Sequence, residues 1–263
     1  MTIPSRLARA SLVLLALTAL ARPTGAWGAD GVVEINRACV AVGCFPGDDP
    51  GFPVTITGAA GRSYRLTSDL ASFSPNAIAI LITGSNVSLD LGGFQIGGRR
   101  TCSGACPATP GFQIGVRATG DAAEVRNGSV VGFDAVGVEL ASRGIVRNVR
   151  AGNNGSDGIR VEDGGQVHDS VAFDNDADGI ETRSGCLVSG NTVLGNGGDG
   201  IDVSAGTLVV GNVMRDNGGF GLRTTFNPNS GYTQNTITGN DAGTVIGGIP
   251  LGANSCNLSP TCP

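Results

Sequence analysis

From Val125 onward the apolar residues keep two rhythms at once. Within short segments they alternate with polar ones: residues 158–162 read Gly-Ile-Arg-Val-Glu and residues 200–204 read Gly-Ile-Asp-Val-Ser. Between segments the same positions return every 21 residues, so that Gly137, Gly158, Gly179, Gly200 and Gly221 each precede an apolar residue. Val125, Val146, Val167, Val188 and Val209 keep that step, as do Asn154, Asn175, Asn196 and Asn217. Asp157, Asp178 and Asp199 form a further column, with Phe220 in the next place.

Alternation of period two is the mark of a strand with one buried face, and no unit carries the 3.6-residue stripe of a helix. A 21-residue repeat with about three short strands and turns of Gly, Asn and Asp predicts one coil of a β-solenoid. A leucine-rich repeat has a comparable length, but its Leu-x-x-Leu-x-Leu pattern is missing from this sequence. The predicted fold is therefore all-β: a single-stranded right-handed parallel β-helix. Equivalent strands pair from coil to coil at about 4.8 Å. Ile159, Ile180, Ile201 and Leu222 then stack as one inward column, and the Asn column stacks at a turn as a ladder of amides.

Looser strand patterns at 54–57, 63–70, 77–82 and 86–96 extend the predicted coil over residues 54–247. Residues 30–53 are the expected cap, with a short helix over 34–42, and residues 248–263 the expected tail at the other end. Residues 99–111 break the rhythm and read as a loop, as do residues 224–231.

Composition sharpens this picture. The 44 glycines suit many tight turns, and only 5% aromatic residues argues against a core of large rings. Arg6 and Arg9 precede the apolar run at 11–21, and small residues follow at Gly25, Ala26, Gly28 and Ala29. Residues 1–29 thus read as a cleavable signal peptide and predict a secreted or periplasmic protein. A membrane anchor is the alternative, but the run is shorter than the ~20 apolar residues a spanning helix needs. Removing the signal leaves 14 arginines, no lysine and 22 acids. Such a chain is a poor partner for nucleic acid or an anionic membrane. Six cysteines fall into close pairs, Cys39–Cys44, Cys102–Cys106 and Cys256–Cys262, which predicts three local disulfides in an oxidising compartment. Cys186 is left over as a small buried residue, and no paired C-x-x-C or neighbouring histidine supports a metal site instead.

The Gly-Ile-x-Val and Val-x-x-Asn segments, each ending in Asn-x-x-Asp-Gly, resemble the right-handed β-helix repeats of the pectate-lyase-like superfamily. The opening strands at 77–82 and 86–94 are similar to the start of that coil in secreted members, and the resemblance covers most of residues 54–247. It implies polysaccharide lyases, polygalacturonase-type hydrolases, epimerases or a metal-centre maturation protein as relatives. The polygalacturonase motifs are absent: Asn191-Thr192 is followed by Val193, the one Asp-Asp pair is Asp48-Asp49 outside the predicted coil, and His168 is followed by Asp169. One histidine and one methionine, Met214, after the signal are too few for copper handling.

The candidate chemistry lies on the outer face of the coil. The residue after each inward apolar one points outward: Glu139, Arg160, Glu181, Asp202 and Arg223. Glu181 and Asp202 are predicted side by side, flanked by Arg160 and Arg223, as an acid–base or nucleophile–acid pair. The same alternation of charges also serves a solvated sheet that neutralises itself. Asp157, Asp178 and Asp199 are the one candidate metal set, calcium being the ion their oxygens would suit. A turn aspartate bonded to its own backbone is the structural reading of that column. No cofactor is required. His168 above Arg147 and Arg126 makes a small basic strip, with no triad or metal geometry around it.

Two functions follow. One is a secreted protein that binds or cleaves a polysaccharide, lyase- or hydrolase-like, on the outer face of the coil. The other is a non-enzymatic structural or surface-interaction scaffold. With Trp27 in or beside the signal, only Tyr64 and Tyr232 remain beside the phenylalanines. Any glycan contact would then be polar and charge-driven rather than stacked on rings.

Overall fold

A computed structural model describes residues 31–59, 62–100, 111–224, 229–257 and 262. Among the described residues, twenty-six short strands wind into a parallel β-helix in which every pairing joins a strand to its equivalent on a neighbouring coil. One ladder holds nine strands, from Val54–Ile56 to Gly243–Ile246, and contains the Gly-Ile-x-Val segments. Two further ladders form a seventeen-stranded sheet, because Glu124–Val131 and Ile145–Gly152 run unbroken through the bend between them. Each coil therefore has three faces, called here the first, second and third in chain order.

Register makes the fold. Ile159 pairs with Ile180, Ile180 with Ile201 and Ile201 with Leu222, and all four are fully buried. The Val column fills the second face in the same way, and Val130, Ala151, Ala172, Val193, Met214 and Ile237 fill the third. Burying each large aliphatic side chain contributes roughly 1.5–3 kcal/mol, repeated coil after coil.

Small polar side chains stack at all three bends. The Asn154 amide donates to Asn175 Oδ1 at 2.9 Å, and the chain continues through Asn196 and Asn217 to Asn240 at 2.8, 2.8 and 2.7 Å. A second ladder at the bend between the second and third faces runs Asn191, Asn212, Asn235, Asn254. At the remaining bend Cys186 N donates to Thr207 Oγ1 and Thr207 N to Ser230 Oγ. Cys186 is thus a buried free thiol within a stack of small residues.

The glycine column has a steric origin rather than the turn role its abundance suggests. A Cβ on Gly200 would stand 2.6 Å from Gly221 O and 2.9 Å from Asn217 Nδ2. The Asn ladder runs directly behind these glycines, so the two columns require each other.

The coil is longer than residues 54–247. Val33–Ile35 already pairs with Ser63–Leu66, and at the other end Ile249–Pro250 and Ser255–Cys256 continue the two ladders. Because Glu34 and Ile35 belong to a strand, the predicted helix shrinks to Arg37–Val40, capped by Asn36 Oδ1, which accepts from the backbone of Ala38 and Cys39. The disulfide Cys39–Cys44 and the packed rings of Phe45 and Tyr64 close this end, and Cys256–Cys262 ties down the other. The predicted signal at 1–29 and the pair Cys102–Cys106 lie outside the described residues. Among the described residues no helix is long and apolar enough to cross a membrane.

Candidate functional site

The outward residues of the first face fall into register as their spacing requires. Glu139 pairs with Arg160, Arg160 with Glu181, Glu181 with Asp202 and Asp202 with Arg223. Glu181 is clamped by Arg160, whose Nε donates to Glu181 Oε2 at 2.6 Å. The same guanidinium bonds Asp157 in its own coil through Nη2. Arg223 reaches past Asp202 to the buried Asp199, bonding it through both Nε and Nη2, and lies over the Phe220 ring at 5.3 Å.

The aspartate column does not bond its own backbone. Asp157 Oδ1 accepts from the backbone N–H of Asp178 at 3.1 Å, Asp178 Oδ1 from that of Asp199 at 2.6 Å, and Asp199 Oδ1 from that of Phe220 at 2.5 Å. Each carboxylate therefore ties its coil to the next. Asp157 and Asp199 turn their second oxygen to an arginine. Asp178 sits between them, with carboxylate oxygens of Asp178, Asp199 and Asp202 all within 4.8 Å of one another.

This arrangement separates the acids chemically. Burial raises the Asp178 carboxyl to about 7, the Asp199 N–H opposes the rise, and the negative charges of Asp157, Asp199 and Asp202 add to it. Burial likewise lifts Asp157 to about 6, against the pull of Arg160 and with a further push from Glu181. Asp178 therefore carries a proton for much of the time near neutral pH. The spacing named Glu181 and Asp202 as a candidate acid–base pair and gave Asp178 no part in it, because the Asp column read as a turn; the structure places Asp178 against Asp202. The missed signal was the position itself: a carboxylate directly behind a row of outward acids, in a column without a basic residue.

The metal set also differs from the prediction. The carboxylates that converge are Asp178, Asp199 and Asp202, while Asp157 is held off by Arg160. Calcium takes six to eight oxygen ligands. Here backbone N–H groups take inner oxygens and the Arg223 guanidinium stands against Asp199, where a cation would bind. These residues do not suit calcium.

On the second face the basic strip is neutralised. Arg147 Nε and Arg126 Nη1 bond the two oxygens of Glu124 at 2.5 and 2.7 Å, and Arg126 Nε bonds Asp90 at 3.2 Å. Burial pushes Glu124 up, but its bonds to Ser88 and Arg147 and the two arginine charges outweigh it and hold the carboxyl below its usual range. His168 stands in register with Arg147, and its ring Nδ1 lies 3.2 Å from Asp169. Two surface hollows lie away from the acids, one lined by Phe52, Pro53 and residues 74–78, the other between Asn127 and Arg150.

Stacked coils with repeated inward apolar columns and charged outward ones define a parallel β-helix repeat protein. The chain belongs to the right-handed β-helix family: the model of the right handed beta helix region matches residues 80–207 and 114–259. The coil is similar to that of the periplasmic alginate epimerase AlgG, at a TM-score of 0.56 and 14% identity, covering 84% of this chain and 57% of that one. It is also similar to the A-module of the Azotobacter vinelandii mannuronan C-5 epimerase AlgE6, at a TM-score of 0.42 and 22% identity, covering 86% and 65%. The Agl-KA catalytic domain matches at a TM-score of 0.48 and 18% identity, covering 79% and 41%. The chain thus spans less than two thirds of the length of each of these proteins. Its sequence matches no curated protein.

Proposed function

We propose that this chain is an exported β-helix protein that binds a polysaccharide along its first face and cleaves it with Asp178 as the acid. The observation that carries the reading is a half-buried carboxyl raised to about 7, Asp178, with oxygens of Asp199 and the outward Asp202 within 4.8 Å of it. A carboxyl held protonated near neutral pH beside other acids can serve as the general acid. In either route the glycosidic C–O bond breaks and Asp178 protonates the departing oxygen. In hydrolysis the Asp202 carboxylate takes a proton from a water whose oxygen bonds the anomeric carbon, and in elimination it takes the proton of the neighbouring sugar carbon, whose electron pair forms the C=C bond. Glu181, Arg160 and Arg223 hold the flanking charges in place. The two local disulfides suit an oxidising compartment, and the alginate epimerase that shares the coil supports a polysaccharide as the substrate class.

A second reading rests on the pairing of outward charges. Arg117 with Glu139, Arg160 with Glu181 and Arg183 with Glu162 make a self-neutralised face suited to a non-enzymatic scaffold. Reducing-end release and ultraviolet absorbance of unsaturated ends from alginate, polygalacturonate and a neutral β-glucan separate the two. The enzyme reading expects D178N and D202N each to lose at least ~100-fold in rate, the usual contribution of a general acid or base. Turnover should fall as pH rises through about 7, where Asp178 gives up its proton. Wild-type protein that neither binds nor cleaves these polymers overturns this reading in favour of the scaffold.

A further inference from the structure

At the bend between the second and third faces, far along the coil's perimeter from the outer acids, a hollow of about 260 Å³ is lined by Gly93, Asn127, Gly128, Ser129, Asn148 and Arg150. Its lining holds one cation and no acid, in a protein of formal net charge −5.

Arg150 is set apart from the other outward arginines. Arg117, Arg126, Arg147, Arg160, Arg183 and Arg223 each pair with a carboxylate. Among the described residues Arg150 has no such partner, and its register neighbours along the ladder are Ser129 and Val171. The acid that touches the lining, Asp90 through Asn127, is held by other groups. Asp90 accepts from Gly92 N, Asn127 Nδ2 and Arg126 Nε.

The guanidinium is also positioned in advance. It stacks on the Phe173 ring, 5.2 Å from the centroid. That ring lies flat over the backbone of Gly152, where a Cβ would stand within 2.6 Å of three of its atoms. Beside Arg150, Asn148 donates to Asn127 Oδ1 at 3.0 Å, which orients both amides. Ser129 adds a hydroxyl, and Gly93 leaves open the space a side chain would take.

We propose that this hollow is an oxyanion-binding site: Arg150 forks onto a carboxylate or sulfate while the Ser129 hydroxyl and the Asn148 amide bond the same group. A forked guanidinium matches two oxygens of a planar anion, and stacking on Phe173 lowers the ordering cost of the side chain. The ligand class is an acidic sugar or a small free oxyanion, and the site works independently of the outer-face acids.

The test is calorimetric titration of the full chain with trigalacturonate, with maltotriose as the neutral control, and with acetate and sulfate as free oxyanions. Trigalacturonate or a free oxyanion should bind, and R150Q should weaken that binding about tenfold or more, the loss expected for a charge-assisted hydrogen bond. R150K, which keeps the charge but not the fork, should fall between. Loss of acetate or sulfate binding in R150Q separates this site from the proposed glycan-cleaving face, whose clustered acids repel both anions. Tighter binding of trigalacturonate than of acetate assigns the source to a glycan, and equal binding assigns it to free anions. Affinity unchanged in R150Q, equal affinity for maltotriose, or no binding of any of the anions overturns the proposal.

Discussion

Replacing Asn196 tests whether the amide ladder holds the coils together. Asn196 Oδ1 accepts from both Asn175 N, at 3.1 Å, and Asn175 Nδ2, at 2.8 Å. Its own Nδ2 donates to Asn217 Oδ1 at 2.8 Å. In N196A the acceptor is lost, so the backbone N–H of the buried Asn175 is orphaned, at a cost of about 1–3 kcal/mol. Asn175 Nδ2 keeps the Ala151 carbonyl at 3.3 Å, and Asn217 Oδ1 keeps the backbone N–H of residue 196, so those groups lose strength but not every partner. The lost amide–amide bonds add about 1 kcal/mol, for an expected total of about 2–4 kcal/mol. In a chain of this size that lowers Tm by roughly 5–15 °C. N196D keeps the acceptor but turns an oxygen on Asn217 Oδ1 and on the carbonyls of Ala172 and Leu194, all bonded by the present amide. It should cost more than N196A, because it adds buried repulsion. Urea unfolding followed by circular dichroism reads both, with the m-value checked because stacked repeats need not unfold in one step. N196A within 0.5 kcal/mol of wild type, or N196D more stable than N196A, would refute the reasoning.

Other outcomes follow from the same geometry. Because the folded state raises Asp178 from 3.8 to about 7, it binds more protons than the unfolded state between these values, and stability falls as pH rises across that window. D178N keeps an oxygen for the Asp199 N–H and removes the titration. It should match wild type near pH 4 and be the more stable protein at pH 8, and a stability difference constant across thermal melts from pH 4 to 8 would contradict this. G200A forces a Cβ against Gly221 O at 2.6 Å and should cost about 3 kcal/mol or more. G179A meets Gly200 O and Asn196 Nδ2 at 2.8 Å each and should do the same. Denaturation midpoints equal to wild type in both would show that the glycine column is not sterically required.

The site was partly legible in the chain. The outward order Arg160, Glu181, Asp202, Arg223 follows from alternation and period, and the ladder places these residues in that register. Which arginine serves which acid could not be read, because long side chains reach across columns. Arg160 pairs within its coil to Asp157, whereas Arg223 crosses to Asp199 of the coil before. The second Asn ladder was half visible: Asn191 and Asn212 keep the 21-residue step, but the irregular coils that follow displace Asn235 and Asn254 from it.

What the sequence by itself determined is therefore the stacking. A constant repeat length with period-two alternation settles which residues share a column and which columns face inward, since both are properties of position along the chain. Tertiary structure decided the chemistry: burial, the distance between charges in different columns and the backbone groups each oxygen meets. Asp157, Asp178 and Asp199 are equivalent in the repeat, yet Asp157 and Asp199 each bind an arginine while Asp178 lies between them and is raised to about 7. Electrostatic energy depends on separation and solvent access in three dimensions, and neither is written in a repeat that treats the three residues alike.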